Sequence, residues 1–161
     1  MIDVVVAVFR DDEDRVLIAQ RNLKKHHGGF WEFPGGKVEE KETRKQAIVR
    51  IIKKELKLDI MADRIFCQIP FFYPDEKEVN LIGIECTIVD GKIKLSDYED
   101  VQWVKIDELS KWKIILPDIG VSAMLRVGLK NEDRKPEYIR FSKGRFEDIP
   151  GFLVKNEVVM Y

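Results

Sequence analysis

Residues 35–58, GGKVEEKETRKQAIVRIIKKELKL, decide the fold, because they set a glycine turn, an acidic run and an amphipathic helix in one order. Two glycines after Pro34 leave the backbone free to approach a ligand and to adopt conformations closed to residues with a Cβ. Thr43 fits an N-cap, with Gln46 three residues later as in a capping box. The apolar residues that follow recur at helical spacing: Ala47, Ile48, Ile51, Ile52 and Leu56. The segment predicts a strand, a Gly-Gly loop and a helix.

One face of the predicted helix carries positions 51, 54 and 55, which are neighbours by the i, i+3, i+4 rule. Three carboxylates there would converge and could hold a hard divalent cation. The chain has Ile51, Lys54 and Glu55 at these positions. One carboxylate of the three is therefore present.

The same segment resembles the signature of the Nudix superfamily. That signature runs Gly, five residues, Glu, seven residues, Arg-Glu, an aliphatic residue, any residue, Glu-Glu, any residue, Gly and an aliphatic residue. The residues that match in register are Gly36, Glu42, Arg50, Ile52, Glu55 and Leu58. Residues 4–9, 16–21, 31–37, 101–104 and 116–118 resemble the MutT-like branch. The resemblance covers about residues 2–129 and implies an α/β (α+β) fold, with a mixed β-sheet sandwiched between α-helices.

The chain departs from the signature at positions that matter for its chemistry. Ile51, Lys54 and Lys57 stand where the family has Glu, Glu and Gly. In MutT-like enzymes the glutamates hold magnesium or manganese on the phosphate chain, and a carboxylate helps to activate the attacking water. Such a metal neutralises charge on the phosphoryl oxygens. Two unit charges about 4 Å apart interact by roughly 4 kcal/mol at an effective dielectric of about 20, so Lys54 and a divalent ion compete for one place.

A weakened Mg²⁺ or Mn²⁺ site is what the resemblance then implies. Its ligands are the Gly36 carbonyl, Glu55 and Asp97, which stands six residues before Trp103, where MutT-like chains carry a further acidic ligand. Glu55 is also the candidate catalytic carboxylate. Magnesium keeps several waters and can bind through substrate phosphates, so a thin ligand set does not exclude it.

The resemblance also suggests where a nucleotide lies. Arg21 matches a position near the phosphates, and Phe33 and Tyr73 match positions near the base pocket. Asp118 stands where the family places an Asn or Asp that reads the base edge; a carboxylate accepts hydrogen bonds only, so it selects amino or ring N–H groups. Lys54 is a candidate phosphate contact. The alternatives are core or rim aromatics for Phe33 and Tyr73, a helix cap for Asp118, and an exposed helix face for Lys54.

The acidic run has a simpler reading too. Glu39, Glu40 and Glu42 could form a solvated turn, although Glu42 matches the signature in register. Arg50 is expected to make a structural ion pair within this segment.

Composition places the chain among ordinary globular proteins. It has 161 residues, 45% hydrophobic and 35% charged, enough for one domain with a core. No apolar run reaches the length of a membrane span and no signal peptide opens the chain, so a cytoplasmic location is expected. Cys67 and Cys86 lie in apolar segments without CxxC spacing and predict reduced core thiols. His26 and His27 lack a second pair to complete a metal site.

Charge favours a small anionic ligand. The net charge of −1 argues against a dedicated nucleic-acid binder. Residues 21–57 nevertheless contain eleven Lys and Arg against five Glu, which suits a polyanionic small molecule such as a nucleotide. Scattered solvated lysines would give the same excess.

Strand and turn signals outline the rest of the chain. Residues 3–9 and 15–20 read as strands joined by an Asp-rich turn, a hairpin signal, and residues 64–73 and 78–89 read as a second pair across Pro74-Asp75. Asp90-Gly91 predicts a turn and residues 101–106 another strand. Asp107 can cap a short helix through Trp112, and residues 117–130 predict the second main helix.

The chain is expected to form a Nudix domain over residues 1–130 and an ordered C-terminal extension over 131–161, packed on the same domain. The extension starts with a polar break, but its apolar content is too high for a disordered tail. Its strand-like segments could cover an edge of the domain's own sheet or pair with a second copy in a homodimer. We expect packing on the same chain.

Two functions fit these residues. One is a divergent, metal-dependent pyrophosphohydrolase of nucleoside triphosphates or other compounds linked to a nucleoside diphosphate, with weak or altered activity. The other is a catalytically inactive Nudix domain that binds a nucleotide as a sensor or a protein-interaction module.

Overall fold

The computed structural model describes residues 1–73 and 77–130. The elements are β1 Ile2–Phe9, β2 Arg15–Arg21, β3 Trp31–Glu32, β4 Gly35–Lys37, α1 Arg44–Leu56, β5 Asp59–Phe72, β6 Glu78–Asp90, β7 Tyr98–Lys105, a 3-10 helix Ile106–Lys111, and α2 Leu116–Lys130. The Pro74-Asp75 turn and the C-terminal extension of residues 131–161 lie outside the described residues.

The strands form two sheets. The first has the order β4-β1-β6-β5, in which β1 and β6 are parallel and the other pairs antiparallel. The second has the order β3-β2-β7 and is antiparallel. Alternate residues of β1 face opposite cores: Val5 packs with buried residues of α1, and Val6 packs with those of α2. The mixed sheet between helices is therefore confirmed, with its strands divided between two sheets.

The predicted hairpin of β1 and β2 is wrong in its pairing. The turn forms, since the Asp11 N–H donates to the Arg15 carbonyl at 2.9 Å and the Asp11 carboxylate accepts the Arg15 N–H. Beyond it only one bridge, Arg10 to Val16, joins the strands before they enter different sheets. Both strands carry runs buried on both faces. Turn residues fix the local bend, whereas these buried runs let each strand take other neighbours.

Helix α1 confirms the local prediction. The Thr43 side chain accepts the Gln46 N–H at 3.1 Å, and the Gln46 side chain accepts the Thr43 N–H at 2.8 Å, which completes the capping box. Its buried residues are those with the predicted helical spacing: Ala47, Ile48, Ile51, Ile52 and Leu56.

The helix ends at Lys57, whose φ of 61° and ψ of 30° are left-handed. This is the position at which the family signature has glycine. Because a side chain with a Cβ is disfavoured there, the chain departs from the signature at a conformational cost.

Lys57→Gly is expected to raise the free energy of unfolding by about 0.5–1 kcal/mol. Removing the Cβ relieves the strain of the left-handed conformation, and the greater conformational entropy of glycine in the unfolded chain offsets part of this gain. Urea denaturation measures the difference. Lys57→Ala is the matched control: it also removes the hydrogen bond from Lys57 Nζ to the Lys54 carbonyl but keeps a Cβ, and should give no gain. Equal stabilities of the two variants would contradict this explanation.

Several other predictions can be compared with the structure. β5 and β6 pair antiparallel as expected, and α2 starts at Leu116, one residue early. Asp107 does not cap the short helix: the N-cap is Lys105, without a side-chain cap bond, and Asp107 lies in the first turn. Cys67 and Cys86 are buried free thiols, and burial raises the pKa of each to about 12. Among the described residues no helix could span a membrane.

Candidate functional site

A pocket of about 170 Å³ opens beside the Gly-Gly loop. It brings together five of the predicted site residues from separate parts of the chain: Arg21, Phe33, Gly36, Glu55 and Asp97. They come from the end of β2, the β3–β4 segment, helix α1 and the approach to β7. The fold thus brings five of the eight residues selected from the sequence to one cavity.

Three predicted residues do not line this pocket. Lys54 is exposed on α1. Tyr73 follows β5, and its ring meets that of Phe71 edge-on at 4.8 Å between centroids. Asp118 is completely buried in the first turn of α2.

Asp118 accepts the Phe33 N–H at 2.8 Å through Oδ2. Phe33 is 1% exposed and lies between the short strands β3 and β4. The carboxylate therefore ties the start of α2 to the segment that forms one wall of the pocket. Base recognition by Asp118 stays a prediction.

Arg21 and Glu32 form a partly buried ion pair in the lining of the pocket. Arg21 Nη1 lies 3.1 Å from Glu32 Oε2, and the side chains are 16% and 12% exposed. Arg21 Nε also donates to the His26 carbonyl at 3.0 Å. Burial raises the pKa of Glu32, the charges of Arg21 and Lys25 partly offset the rise, and the charge of Glu55 adds to it. Glu32 is a pocket residue that the sequence analysis did not select.

Glu32 should therefore make stability depend on pH. A raised folded-state pKa means that the folded state holds the proton more tightly, so the contribution of Glu32 is fully present below the ordinary pKa of 4.5 and is lost as the pH rises through the raised value. Glu32→Gln keeps an oxygen acceptor for Arg21 and cannot titrate. In urea denaturation across this pH range, the wild type should lose stability relative to the variant with increasing pH. Parallel curves would contradict the prediction.

Tyr98 is a second residue that the sequence analysis did not select. It starts β7 opposite Arg21, where the β2–β7 register shifts, and it lines the pocket. Burial, then the charges of Glu32 and Glu55, raise the pKa of the Tyr98 phenol well above its usual value. The phenol therefore stays protonated, which makes it a neutral hydrogen-bonding group among the carboxylates.

The side chains present do not fit a divalent cation held as the family signature implies. Among the described residues, no three His, Cys, Asp or Glu side chains converge as a metal site. Ile51 is 5% exposed in the α1 core, and a Cβ built on Gly36 would meet its Cδ1 at 3.3 Å. Asp97 Oδ2 lies 3.5 Å from the Lys25 ammonium. The Gly36 carbonyl and Glu55 remain as donors of the expected set.

Glu42 and Arg50 form the structural ion pair predicted within the signature. Arg50 donates to both carboxylate oxygens of Glu42, at 2.6 and 3.0 Å. The hydrogen bond from Arg50 is the main reason that the pKa of Glu42 is lowered. The Glu39 N–H also donates to Glu42 at 2.7 Å, so Glu42 stabilises the turn between β4 and α1.

Comparison with known proteins agrees with this architecture. Residues 1–123 match the NUDIX domain family. An 8-oxo-dGTP diphosphatase of Proteus vulgaris is 42% identical over 72 residues, which are 45% of this chain and 64% of that enzyme. A CTP pyrophosphohydrolase of Escherichia coli is 44% identical over 59 residues, 37% of this chain and 43% of the relative. The match thus spans less than two thirds of either relative.

A solved structure extends the likeness to most of the domain. The solution structure of the mismatch repair protein MutT from methicillin-resistant Staphylococcus aureus has 33% sequence identity and a TM-score of 0.62, covering 78% of this chain and 95% of that one. The chain belongs to the Nudix family, in its MutT-like branch. Nudix hydrolases generally use divalent metals such as Mg²⁺.

Proposed function

We propose that this chain binds nucleoside triphosphates, or other compounds linked to a nucleoside diphosphate, in the pocket beside the Gly-Gly loop, and hydrolyses them slowly in a metal-dependent reaction. The observation that carries the proposal is the meeting of Arg21, Phe33, Gly36, Glu55 and Asp97 in one cavity. Phe33 is a core residue and contributes to the wall of the cleft. The cationic and acidic groups beside it suit a ligand with a phosphate chain.

Slow hydrolysis follows from the groups around Glu55. A metal at this site would supply charge neutralisation and an activated water. Glu55 and the Gly36 carbonyl would hold it, together with Asp97 once that carboxylate leaves Lys25. Ile51 offers no donor, and exposed Lys54 brings a positive charge to the same helix. A site with so few donors should load weakly and turn over slowly.

The alternative is a nucleotide-binding domain without useful turnover, acting as a sensor or partner module. The specific observation in its favour is the ion pair between Lys25 and Asp97, because it engages an expected metal ligand. Both functions require nucleotide binding and differ in the fate of the bound compound.

The test is a nucleotide panel with Mg²⁺ or Mn²⁺, read by thermal shift and by phosphate release. Because relatives are named for 8-oxo-dGTP and CTP, the panel includes both beside the ordinary nucleoside triphosphates. We expect stabilisation by at least one nucleotide and turnover below the usual range of about 1 to 1,000 per second. Binding with no turnover would support the alternative. Turnover within that range, or no stabilisation by any nucleotide, would overturn the proposal.

A further inference from the structure

The loop of residues 22–29 contacts Asp97, which directly precedes β7, and Glu99, which lies within β7. Lys25 Nζ lies 3.5 Å from Asp97 Oδ2, and the Leu23 N–H donates to Glu99 Oε1 at 3.2 Å. Two contacts therefore connect segments that are more than seventy residues apart in sequence. Lys25 is the side chain of this loop whose ammonium meets a predicted metal ligand.

The backbone fixes the position of Lys25. Its N–H donates to the Asn22 carbonyl at 3.0 Å, and its carbonyl accepts the Gly28 N–H at 2.9 Å. Gly28 is packed so closely that a Cβ there would lie 2.5 Å from the Leu23 carbonyl oxygen. The loop is thus held in two successive turns, and Lys25 is presented to the pocket from a defined backbone.

The two ion pairs that line the pocket differ in their exposure to solvent. Three carboxylates and two cations line it: Glu32, Glu55, Asp97, Arg21 and Lys25. The Arg21–Glu32 pair is mostly shielded from solvent, whereas the Lys25 and Asp97 side chains are 50% and 51% exposed. An exposed ion pair contributes little to stability and exchanges partners readily. The charge of Lys25 also reaches Glu32, where it offsets part of the rise in pKa that burial causes.

We propose that Lys25 is a resident phosphate-binding cation that takes the Asp97 carboxylate from a divalent metal, so that the pocket binds a diphosphate group without metal. An ammonium carries three donors on a flexible stem, so it can bind phosphoryl oxygens while it keeps its contact with Asp97. A single positive charge does not generate the activated water that a bound divalent metal supplies. The assignment rests on the proposed function only in treating the diphosphate as part of a nucleotide.

The test is calorimetric titration of the full chain with methylenediphosphonate, a diphosphate analogue that cannot be hydrolysed at its bridge. Wild-type protein should bind it in EDTA about as tightly as in Mg²⁺. Lys25→Gln should weaken binding in EDTA by about tenfold or more, the expected effect of losing a charge-assisted hydrogen bond. Lys24→Gln is the matched control, because it removes the same charge from a neighbouring exposed residue that does not line the pocket. It should bind like the wild type.

A second measurement tests whether Lys25 keeps Asp97 from binding a metal. Electron paramagnetic resonance of free Mn²⁺ should show tighter Mn²⁺ binding by Lys25→Gln than by the wild type or Lys24→Gln, because the carboxylate is released from its partner. Binding of the analogue only in the presence of metal, no binding in either condition, or equal behaviour of the two glutamine variants would overturn the inference. Nucleotide binding that needs Mg²⁺ would keep the proposed function and remove the role of Lys25. Metal-independent binding of the analogue, without preference for any nucleotide, would keep the role of Lys25 and remove the proposed function.

Discussion

Ile51→Glu together with Lys54→Glu is expected to raise metal-dependent turnover of nucleoside triphosphates by about 100-fold, a typical effect of one electrostatic group aimed at a phosphoryl transition state. The two substitutions place carboxylates beside Glu55 on one helix face and remove the competing charge of Lys54. A cation held by three carboxylates should also bind more tightly. Phosphate release as a function of Mg²⁺ or Mn²⁺ concentration measures both effects.

The matched control is Val49→Glu with Lys53→Glu, which changes the charge of α1 by the same amount at exposed positions. It should leave turnover unchanged. Because Ile51 is a core residue, the active double variant should melt lower without metal and recover when metal binds. If it fails to fold, Lys54→Glu alone tests the effect of charge at an exposed site. It should raise turnover by about tenfold, because it replaces a positive charge with a negative one on the helix that carries Glu55. Turnover like that of the control variant would show that the lost carboxylates do not limit the reaction.

Asp118→Ala is expected to lower the free energy of unfolding by about 2–3 kcal/mol, because it leaves the buried Phe33 N–H without its charged acceptor. Asp118→Asn retains an oxygen of the same size at the same place, so its loss should be below about 1 kcal/mol, the range of a neutral hydrogen bond. Urea denaturation of both variants measures the difference. Equal losses would show that the carboxylate charge itself, rather than an acceptor for Phe33, is required there.

The same Asp118→Asn protein tests base recognition. An amide adds a donor where the carboxylate only accepts, so the ranking of nucleotides by affinity should change. Because the side chain is completely buried, a base edge can reach it only if neighbouring side chains move. An unchanged ranking together with a large stability loss would assign Asp118 a structural role alone.

Features that depend on neighbouring residues were predictable from the sequence. The capping box at Thr43, the buried face of α1 and the ion pair of Arg50 with Glu42 all depend on spacings within one segment. The resemblance to the family also predicted that distant residues such as Arg21 and Asp97 would lie close together, because a family match implies a whole fold.

The remaining features depend on which segments meet in space. β1 and β2 separate into different sheets although their turn is correct locally. Glu32 reaches the pocket because β3 pairs with β2, and Tyr98 because β7 pairs with β2 through a register shift; neither pairing is encoded in a periodicity of the sequence. Lys25 lies beside Asp97 because of the conformation of the loop of residues 22–29, which its sequence does not specify. The sequence signal for such pocket residues was a charged side chain close to a matched motif. That signal alone does not distinguish a residue in a pocket from one on the solvated surface.

The packing of Ile51 beside Gly36 bears on the electrostatics of folding. In a domain where carboxylates converge beneath the glycine loop, like charges repel until a cation arrives, and the folded population then follows the metal supply by mass action. Here an aliphatic side chain closes that place and belongs to the permanent core. At this position the folded state therefore has no repulsion between carboxylates to overcome, and its core is completed by Ile51 rather than by a bound cation.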